Sequence, residues 1–193
     1  YSLGHDLRRL DAAYARGARY LGVVHVGNND LCGSSAPAEG EPKDTGLTDF
    51  GRAAVARANE LGMLVDISHA SDACVRDVLA LSTVPVIASH SSARALVDHP
   101  RNLPDELVRA IAAKGGVIQA VAYKEFLKKD PGREAAEKAL QAEVARQAGD
   151  SEFDSEKHEY LPAYIAGMQQ IQGRYPLATL DDYVIKTRNL QTG

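Results

Sequence analysis

Cysteine is scarce in this sequence, with two residues among 193. Two cysteines cannot build the disulfide framework that holds many small secreted domains together. Cys32 and Cys74 are therefore either free thiols or the two halves of one bridge, and the redox compartment stays open. Neither belongs to a Cys-x-x-Cys pair or lies beside a histidine in sequence, so we expect both to be structural.

Long hydrophobic runs and an excess of positive charge are also lacking. No apolar run approaches the ~20 residues that a membrane-spanning helix needs, and no signal peptide is recognisable. The chain has 22 Lys and Arg against 26 Asp and Glu, a net charge of −4, which gives no reason to expect nucleic-acid binding. The first residue is Tyr1 rather than Met, so we expect the chain to be processed or cut from a longer protein, which leaves its localisation open.

Short runs rich in valine and isoleucine alternate with helical patterns in the first two thirds of the chain. They cover residues 20–25, 63–69, 84–90 and 116–121. Because these runs are apolar almost continuously, they are typical of strands covered on both faces of a parallel sheet. The alternation predicts an α/β protein with a parallel sheet, but it does not separate a barrel from an open, doubly wound sheet.

Helix-start signals stand before the helical patterns. Asp6, Thr48 and Ser71 are placed to cap helices, and Pro104 suits a first helical turn. The polar stretch 28–44 is long for a loop in a compact domain, and such loops are often functional.

The last third of the chain is charged and rich in Ala and Glu. It predicts helices over about 132–148 and 157–172, broken at Gly149-Asp-Ser, and a third short helix from Thr179.

Three of the six histidines, His25, His69 and His90, are the last residues of predicted strands. The carboxyl ends of parallel strands form the site in α/β folds, so these side chains should point into one cleft. Neutral imidazole is the commonest ligand of zinc-like metals, and two nitrogens sharing one zinc should lie on the order of 3–4 Å apart. The pattern favours a metal or acid–base site; structural histidines are the alternative.

Other polar residues carry weaker signals. Asp66 lies inside a predicted strand, where a carboxylate is costly without a partner, so it is either a hydrogen-bonded structural group or a support of the site. Arg101, in a loop after His90, either holds a substrate carboxylate or is a solvated surface charge. His5 is expected at the surface, and His99 and His158 receive no role.

Several motifs resemble those of the membrane dipeptidases, the renal dipeptidase-like zinc metallopeptidases, over residues 1–184. The most specific is Leu61-Gly-Met-Leu-Val-Asp-Ile-Ser-His-Ala-Ser71, followed by Pro85-Val-Ile-Ala-Ser-His-Ser-Ser-Ala93 and His99-Pro-Arg-Asn-Leu-Pro-Asp105. Three upstream segments resemble the bacterial branch of the family: Gly17-Ala-Arg-Tyr-Leu21, Asn28-Asn-Asp-Leu-Cys-Gly-Ser-Ser35 and Gly46-Leu-Thr-Asp-Phe-Gly51.

The resemblance implies a (β/α)8 TIM-barrel fold with two zinc ions at the carboxyl ends of the strands and dipeptides as substrates, often with a D-residue at the carboxyl end. It implies that His69 and His90 bind the same zinc. It further implies that His25 is catalytic, contacting the substrate carbonyl and stabilising the oxyanion, and that Arg101 binds the terminal carboxylate.

The chain also departs from the family pattern. The His-x-Asp pair that binds the other zinc and the glutamate that bridges the two metals are absent, and any counterparts would precede Tyr1. The acidic residue that transfers a proton should follow Val184, yet residues 185–193 look unlike the family there. We therefore expect one partial catalytic domain that lacks the first and last strands of the barrel, with its barrel part at about 1–125, helices at about 131–184 and an atypical tail.

The sequence leaves three interpretations of function open. The first is a zinc dipeptidase, and the second is a non-catalytic piece of that fold whose open sheet edges favour association, for instance as a homodimer. The third is another metal-dependent amidohydrolase, which a His-x-His motif on a first strand would favour over His-x-Asp.

Overall fold

The computed structural model describes residues 3–128, 130–154 and 157–176. These residues fall into two compact units, 3–127 and 128–176. The first unit holds a parallel sheet with its helices, and the second is helical. The assignment of both units to one catalytic domain stays a prediction.

Four parallel strands form the sheet of the first unit, in the order β1-β2-β3-β4. They are β1 (Tyr20–Gly22), β2 (Leu64–Asp66), β3 (Ile87–Ser91) and β4 (Val117–Ala120). The predicted parallel sheet is confirmed, but β1 and β2 end three residues before the histidines that were expected to close them.

Five helices accompany these strands in the described residues of the first unit: α1 (Arg8–Ala15), α2 (Asp49–Glu60), α3 (Asp72–Leu81), α4 (Asp105–Ala113) and α5 (Lys124–Leu127). Two predicted caps are confirmed, since Thr48 Oγ1 accepts the N–H of Gly51 at 2.9 Å and Ser71 Oγ accepts that of Cys74 at 3.0 Å.

Two other predicted helix starts are shifted by one residue. Leu7 holds the N-cap position of α1, while Asp6 accepts the N–H of Arg8 at 3.0 Å and pairs with its guanidinium. Pro104 precedes α4 with an extended backbone instead of joining its first turn.

The two faces of the sheet differ sharply in exposure. Leu21 and Val65 pack into the core, whereas Tyr20, Leu64 and Val117 on the opposite face are 62%, 46% and 54% exposed. Right-handed crossovers between strands in consecutive order place their helices on the same side of the sheet. A doubly wound sheet would cover both faces, so this arrangement favours an arc of a barrel.

The core lies between the buried face of the sheet and the helices. Its fully buried aliphatic side chains include Val23, Val55, Val65, Ile67, Val75, Val78, Val86 and Ile111.

Cys32 and Cys74, whose state the sequence left open, form a disulfide across 42 residues of chain. The bridge is buried and joins the loop after β1 to the first turn of α3. Isolated bridges pair Cys32 with Leu47 and Ser34 with Ala70, so the polar stretch 28–44 is fastened at several points.

We expect the variant Cys32→Ser/Cys74→Ser to have a free energy of unfolding lower by about 2–4 kcal/mol, because the bridge restricts the unfolded chain. Urea denaturation of the oxidised wild type and the variant measures the difference. Reducing agent should shift the wild type toward the variant and leave the variant unchanged. Equal unfolding midpoints would contradict a stabilising bridge.

The second unit contains α6 (Pro131–Ala148), a 3₁₀ turn (His158–Tyr160) and α7 (Leu161–Arg174), with α6 packed against α7. Gly149, with φ of +84°, ends α6, so the two predicted helices and the break between them are confirmed. The helix predicted from Thr179 lies outside the described residues. Among the helices of the described ranges, none combines the length and apolar character needed to span a membrane.

Candidate metal and substrate site

Two imidazole nitrogens face each other at the carboxyl edge of the sheet. His69 Nε2 and His90 Nε2 lie 2.9 Å apart. His90 belongs to β3, whereas His69 lies three residues beyond the end of β2. The separation is slightly shorter than the spacing of about 3–4 Å expected for two nitrogens on one zinc, so a small outward shift of the rings would admit an ion.

The carboxylate of Asp66 explains why β2 ends early. The carbonyl of Ile67 turns back to accept the N–H of Ala70 at 3.1 Å, so it is not offered to β3. The N–H of Ser89 bonds instead to Asp66 Oδ1 at 3.1 Å. The buried Asp66 side chain therefore replaces one rung of the ladder and releases the chain to turn at His69.

His69 has a φ of +74°, a left-handed conformation that is rare for a residue other than glycine. Its carbonyl accepts the N–H of Ser35 at 2.8 Å. Ser34 Oγ donates to the carbonyl of His25 at 2.6 Å. The polar loop thus holds the backbones of both histidines, and strain of this kind is concentrated at functional sites.

The third histidine, His25, joins the same cluster. Its ring centroid lies 4.0 Å from that of His69, with the planes tilted by 33°. The His25 side chain is exposed, so one side of the cluster faces solvent. The structure therefore brings together all three histidines that the sequence selected.

Burial keeps the paired imidazoles neutral. It lowers the pKa of His69 to about 4, assisted by the positive charge of Arg101, and burial and then Arg101 also lower the pKa of His90. Neutral imidazole has a free lone pair on one nitrogen, which is the form that binds a metal ion.

Arg101 is buried, with 9% of its surface exposed. The interpretation of Arg101 as a solvated surface charge is therefore wrong. Its guanidinium donates to the carbonyl of His90 at 3.1 Å and lies over the ring of Phe126. Burial lowers the pKa of Arg101 to about 10, so it stays cationic near neutral pH. Within the described ranges no Asp or Glu forms an ion pair with it, so this buried cation can accept an external anion.

The donor set fits part of a zinc-like site. Two neutral imidazole nitrogens converge, whereas a catalytic zinc usually has three protein ligands. No group of three or more His, Cys, Asp or Glu in the described part of the chain is arranged to hold a metal ion. His69 Nδ1 is buried and has no hydrogen-bond partner among the described residues, which is uncommon and fits a site whose remaining members lie elsewhere.

Sequence reasoning missed two supporting residues. Ser89 bridges Asp66 and His90, and the only signal for it is its place in the Ala-Ser-His-Ser-Ser segment. His99 was given no role, yet its Nδ1 accepts the N–H of Arg101 at 3.1 Å and its ring contacts Phe126. His5 is at the surface as expected, and His158 is exposed.

Two fungal proteins are similar to this chain over part of its length. It is 37% identical to an uncharacterised dipeptidase of Schizosaccharomyces pombe over 123 residues, which are 64% of this chain and 29% of that protein. It is also 37% identical to the dipeptidase aclJ of Aspergillus oryzae over 126 residues, 65% of this chain and 29% of that protein. The matched segment thus spans less than a third of either relative.

Solved bacterial structures share the fold. The probable dipeptidase PvdM of Pseudomonas aeruginosa matches with a TM-score of 0.76 and 31% identity, over 97% of this chain and 51% of that one. A metallopeptidase of Rhodobacter sphaeroides, solved with a phosphinate mimic of the dipeptide L-Ala-D-Ala, matches with a TM-score of 0.60 and 28% identity, over 86% and 53% of the two chains.

These matches confirm a partial TIM-barrel-type fold, and because they include fungal and bacterial proteins, the bacterial branch stays a prediction. The sequence profile described as membrane dipeptidase, peptidase family M19, matches residues 1–184. The family is one of metallopeptidases, which implies a metal cofactor. With almost its whole length matched by that profile, the chain belongs to the membrane dipeptidase family.

Proposed function

We propose that this chain forms the zinc-binding and carboxylate-recognising part of a metallodipeptidase. The observation that carries the proposal is a pair of convergent histidine nitrogens, His69 Nε2 and His90 Nε2, beside the buried guanidinium of Arg101. Family membership and the partial barrel support the same reaction class.

Arg101 sets the length of the substrate in this proposal. Within the described residues the Arg101 guanidinium donates to a backbone carbonyl but pairs with no carboxylate, so it can hold the terminal carboxylate of a peptide through two parallel hydrogen bonds. This contact requires a free carboxyl end close to the scissile bond, which restricts the enzyme to short peptides. The L-Ala-D-Ala mimic bound by the Rhodobacter relative supports dipeptides as the substrate class, including those with a D-residue at the carboxyl end.

The histidines divide the remaining work. His69 and His90 hold the metal through their Nε2 atoms, and His25, on the solvent side of the cluster, donates a hydrogen bond to the oxyanion that develops from the scissile carbonyl. Zinc bound there supplies Lewis acidity and a water acidic enough to react near neutral pH. Its other ligands come from outside the described residues.

Zinc titration of the 193-residue chain tests the metal assignment. We expect the wild type to bind zinc. The double variant His69→Gln/His90→Gln, which removes both imidazole nitrogens but keeps polar side chains of similar size, should not bind zinc at this site. Equal zinc binding by the two proteins would contradict the proposal.

Hydrolysis by the chain alone tests how complete its catalytic site is. Beside a full-length family member, we expect less than about a tenth of its turnover on dipeptides, because the described residues bring together two histidine ligands where a catalytic zinc usually has three. Turnover within about tenfold of the reference would show that the two-histidine site is sufficient or is completed within the chain. Association into a homodimer stays a prediction, and size-exclusion chromatography coupled to light scattering would test it.

A further inference from the structure

A chain of three polar side chains runs from β2 into the candidate site. Asp66 Oδ2 lies 2.5 Å from Ser89 Oγ, and Ser89 Oγ lies 2.7 Å from His90 Nδ1. On the far side of the ring, His90 Nε2 faces His69. The three groups therefore connect the interior of the sheet to the nitrogen that points at the proposed metal.

The two N–H bonds on Asp66 Oδ1 fix the orientation of its carboxylate. They come from Ser68 at 3.0 Å and Ser89 at 3.1 Å, and both donors belong to the backbone. Oδ2 is thereby left to the hydroxyl of Ser89. The carboxylate cannot exchange its two oxygens without a rotation that breaks this set of bonds.

The direction of the hydrogen bonds follows from the chemistry of the three groups. A carboxylate only accepts, so the hydroxyl of Ser89 donates its single hydrogen to Asp66 Oδ2. Ser89 Oγ then has only lone pairs to offer His90, and Nδ1 of His90 must carry the ring proton. A neutral imidazole has one N–H, so His90 Nε2 keeps its lone pair.

We propose that Asp66 and Ser89 are positioning residues that hold the His90 proton on Nδ1 and thereby aim the Nε2 lone pair at the metal. The inference rests on the proposed function in that His90 is taken as a metal ligand. It assigns to Asp66, buried and hydrogen-bonded within the sheet, a second task besides ending β2. Metal-binding histidines are commonly oriented in this way by a partner on their other nitrogen.

His69 provides an internal contrast. Its Nδ1 has no hydrogen-bond partner in the described part of the chain, so no comparable relay fixes its proton there. In the metal-free chain the His90 Nε2 lone pair can only accept, so the His69 proton lies on Nε2 and is donated across the 2.9 Å contact. The proposal therefore predicts that a change at Asp66 or Ser89 that moves the His90 proton to Nε2 also moves the His69 proton to Nδ1, because two Nε2–H groups cannot face each other at this distance.

The most informative variant is Asp66→Asn. Asparagine has the same shape as aspartate, but it reverses the direction of the hydrogen bond to the Ser89 hydroxyl. The two backbone N–H groups keep an oxygen at the Oδ1 position, so the new amide nitrogen faces Ser89 and donates to its hydroxyl. Ser89 then donates to His90 Nδ1, and the ring proton moves to Nε2. Nitrogen-15 NMR of the metal-free chain distinguishes the two tautomers, with the His90 signals assigned by comparison with His90→Gln.

We expect the Nδ1–H form of His90 in the wild type and the Nε2–H form in Asp66→Asn. Zinc affinity should fall about 10–100-fold in Asp66→Asn and in Ser89→Ala, the range found for partners of metal ligands. Ser89→Thr keeps the hydroxyl and should restore the wild-type tautomer and affinity. If Asp66→Asn does not fold, Ser89→Ala tests the same relay, because it also releases the proton from Nδ1.

Two results would overturn the relay: an Nε2–H tautomer in the wild type, or a His90 tautomer that stays the same in folded Asp66→Asn or Ser89→Ala. A wild-type chain that binds no zinc would overturn the proposed function instead. The tautomer of the metal-free protein still decides the relay in that case, so the two failures are distinguishable.

Discussion

We expect His69→Gln and His90→Gln each to lower kcat/KM of the complete enzyme for dipeptides by at least about a thousandfold. The Lewis acidity of a bound metal is worth several kcal/mol in the transition state, and each 1.4 kcal/mol is tenfold in rate. Both imidazoles present Nε2 to the same point, so neither can replace the other. Kinetics and zinc content measured on the same preparations test the expectation.

The matched control for this prediction is His158→Gln. His158 is exposed and lies in the 3₁₀ turn of the second unit. The control should keep its zinc and its activity, and circular dichroism should show that all three variants fold. Near-normal turnover in folded His69→Gln or His90→Gln would show that the substituted histidine is not a ligand of the metal.

The second large effect concerns Arg101→Lys. Lysine keeps the positive charge but lacks the planar fork that grips both carboxylate oxygens. We expect kcat/KM on free dipeptides to fall on the order of 30-fold or more, since breaking a buried, hydrogen-bonded charge pair costs about 2–5 kcal/mol. On the same dipeptides with an amidated carboxyl end, the variant and the wild type should differ little.

Arg94→Lys is the matched control for Arg101→Lys. Arg94 is also partly buried, but its guanidinium forms a bidentate ion pair with Asp72, with bonds of 2.6 and 2.8 Å. Any effect of Arg94→Lys should therefore be structural and equal on free and amidated substrates. Equal losses on both substrates in Arg101→Lys would contradict its role in binding the carboxylate.

The parallel sheet and the N-caps of α2 and α3 follow from the sequence because they depend on local signals. Continuous apolar runs mark the strands, and the side chains of Thr48 and Ser71 cap helices through bonds to residues three positions away. The convergence of His25, His69 and His90 also follows, because the carboxyl ends of parallel strands meet at one edge.

Other features depend on contacts between distant segments and leave little trace in the sequence. The sequence misplaces the end of β2 because the Asp66 side chain takes a backbone bond from Ser89, 23 residues away. The pairing of Cys32 with Cys74 requires the loop and α3 to meet, which no spacing rule gives. The burial of Arg101 likewise follows from the folding of its loop against the carbonyl of His90.

In the order β1-β2-β3-β4, every strand pairs with its neighbour along the chain. Each strand pairing therefore brings together the ends of only one strand-helix-strand segment. Contacts between residues close in sequence cost less chain entropy and form faster than contacts between distant ones. During synthesis on the ribosome, β1, β2, β3 and all three histidines have emerged once Ser91 has left the exit tunnel. The histidine cluster can thus assemble while Arg101, which comes later in the chain, is still inside the ribosome.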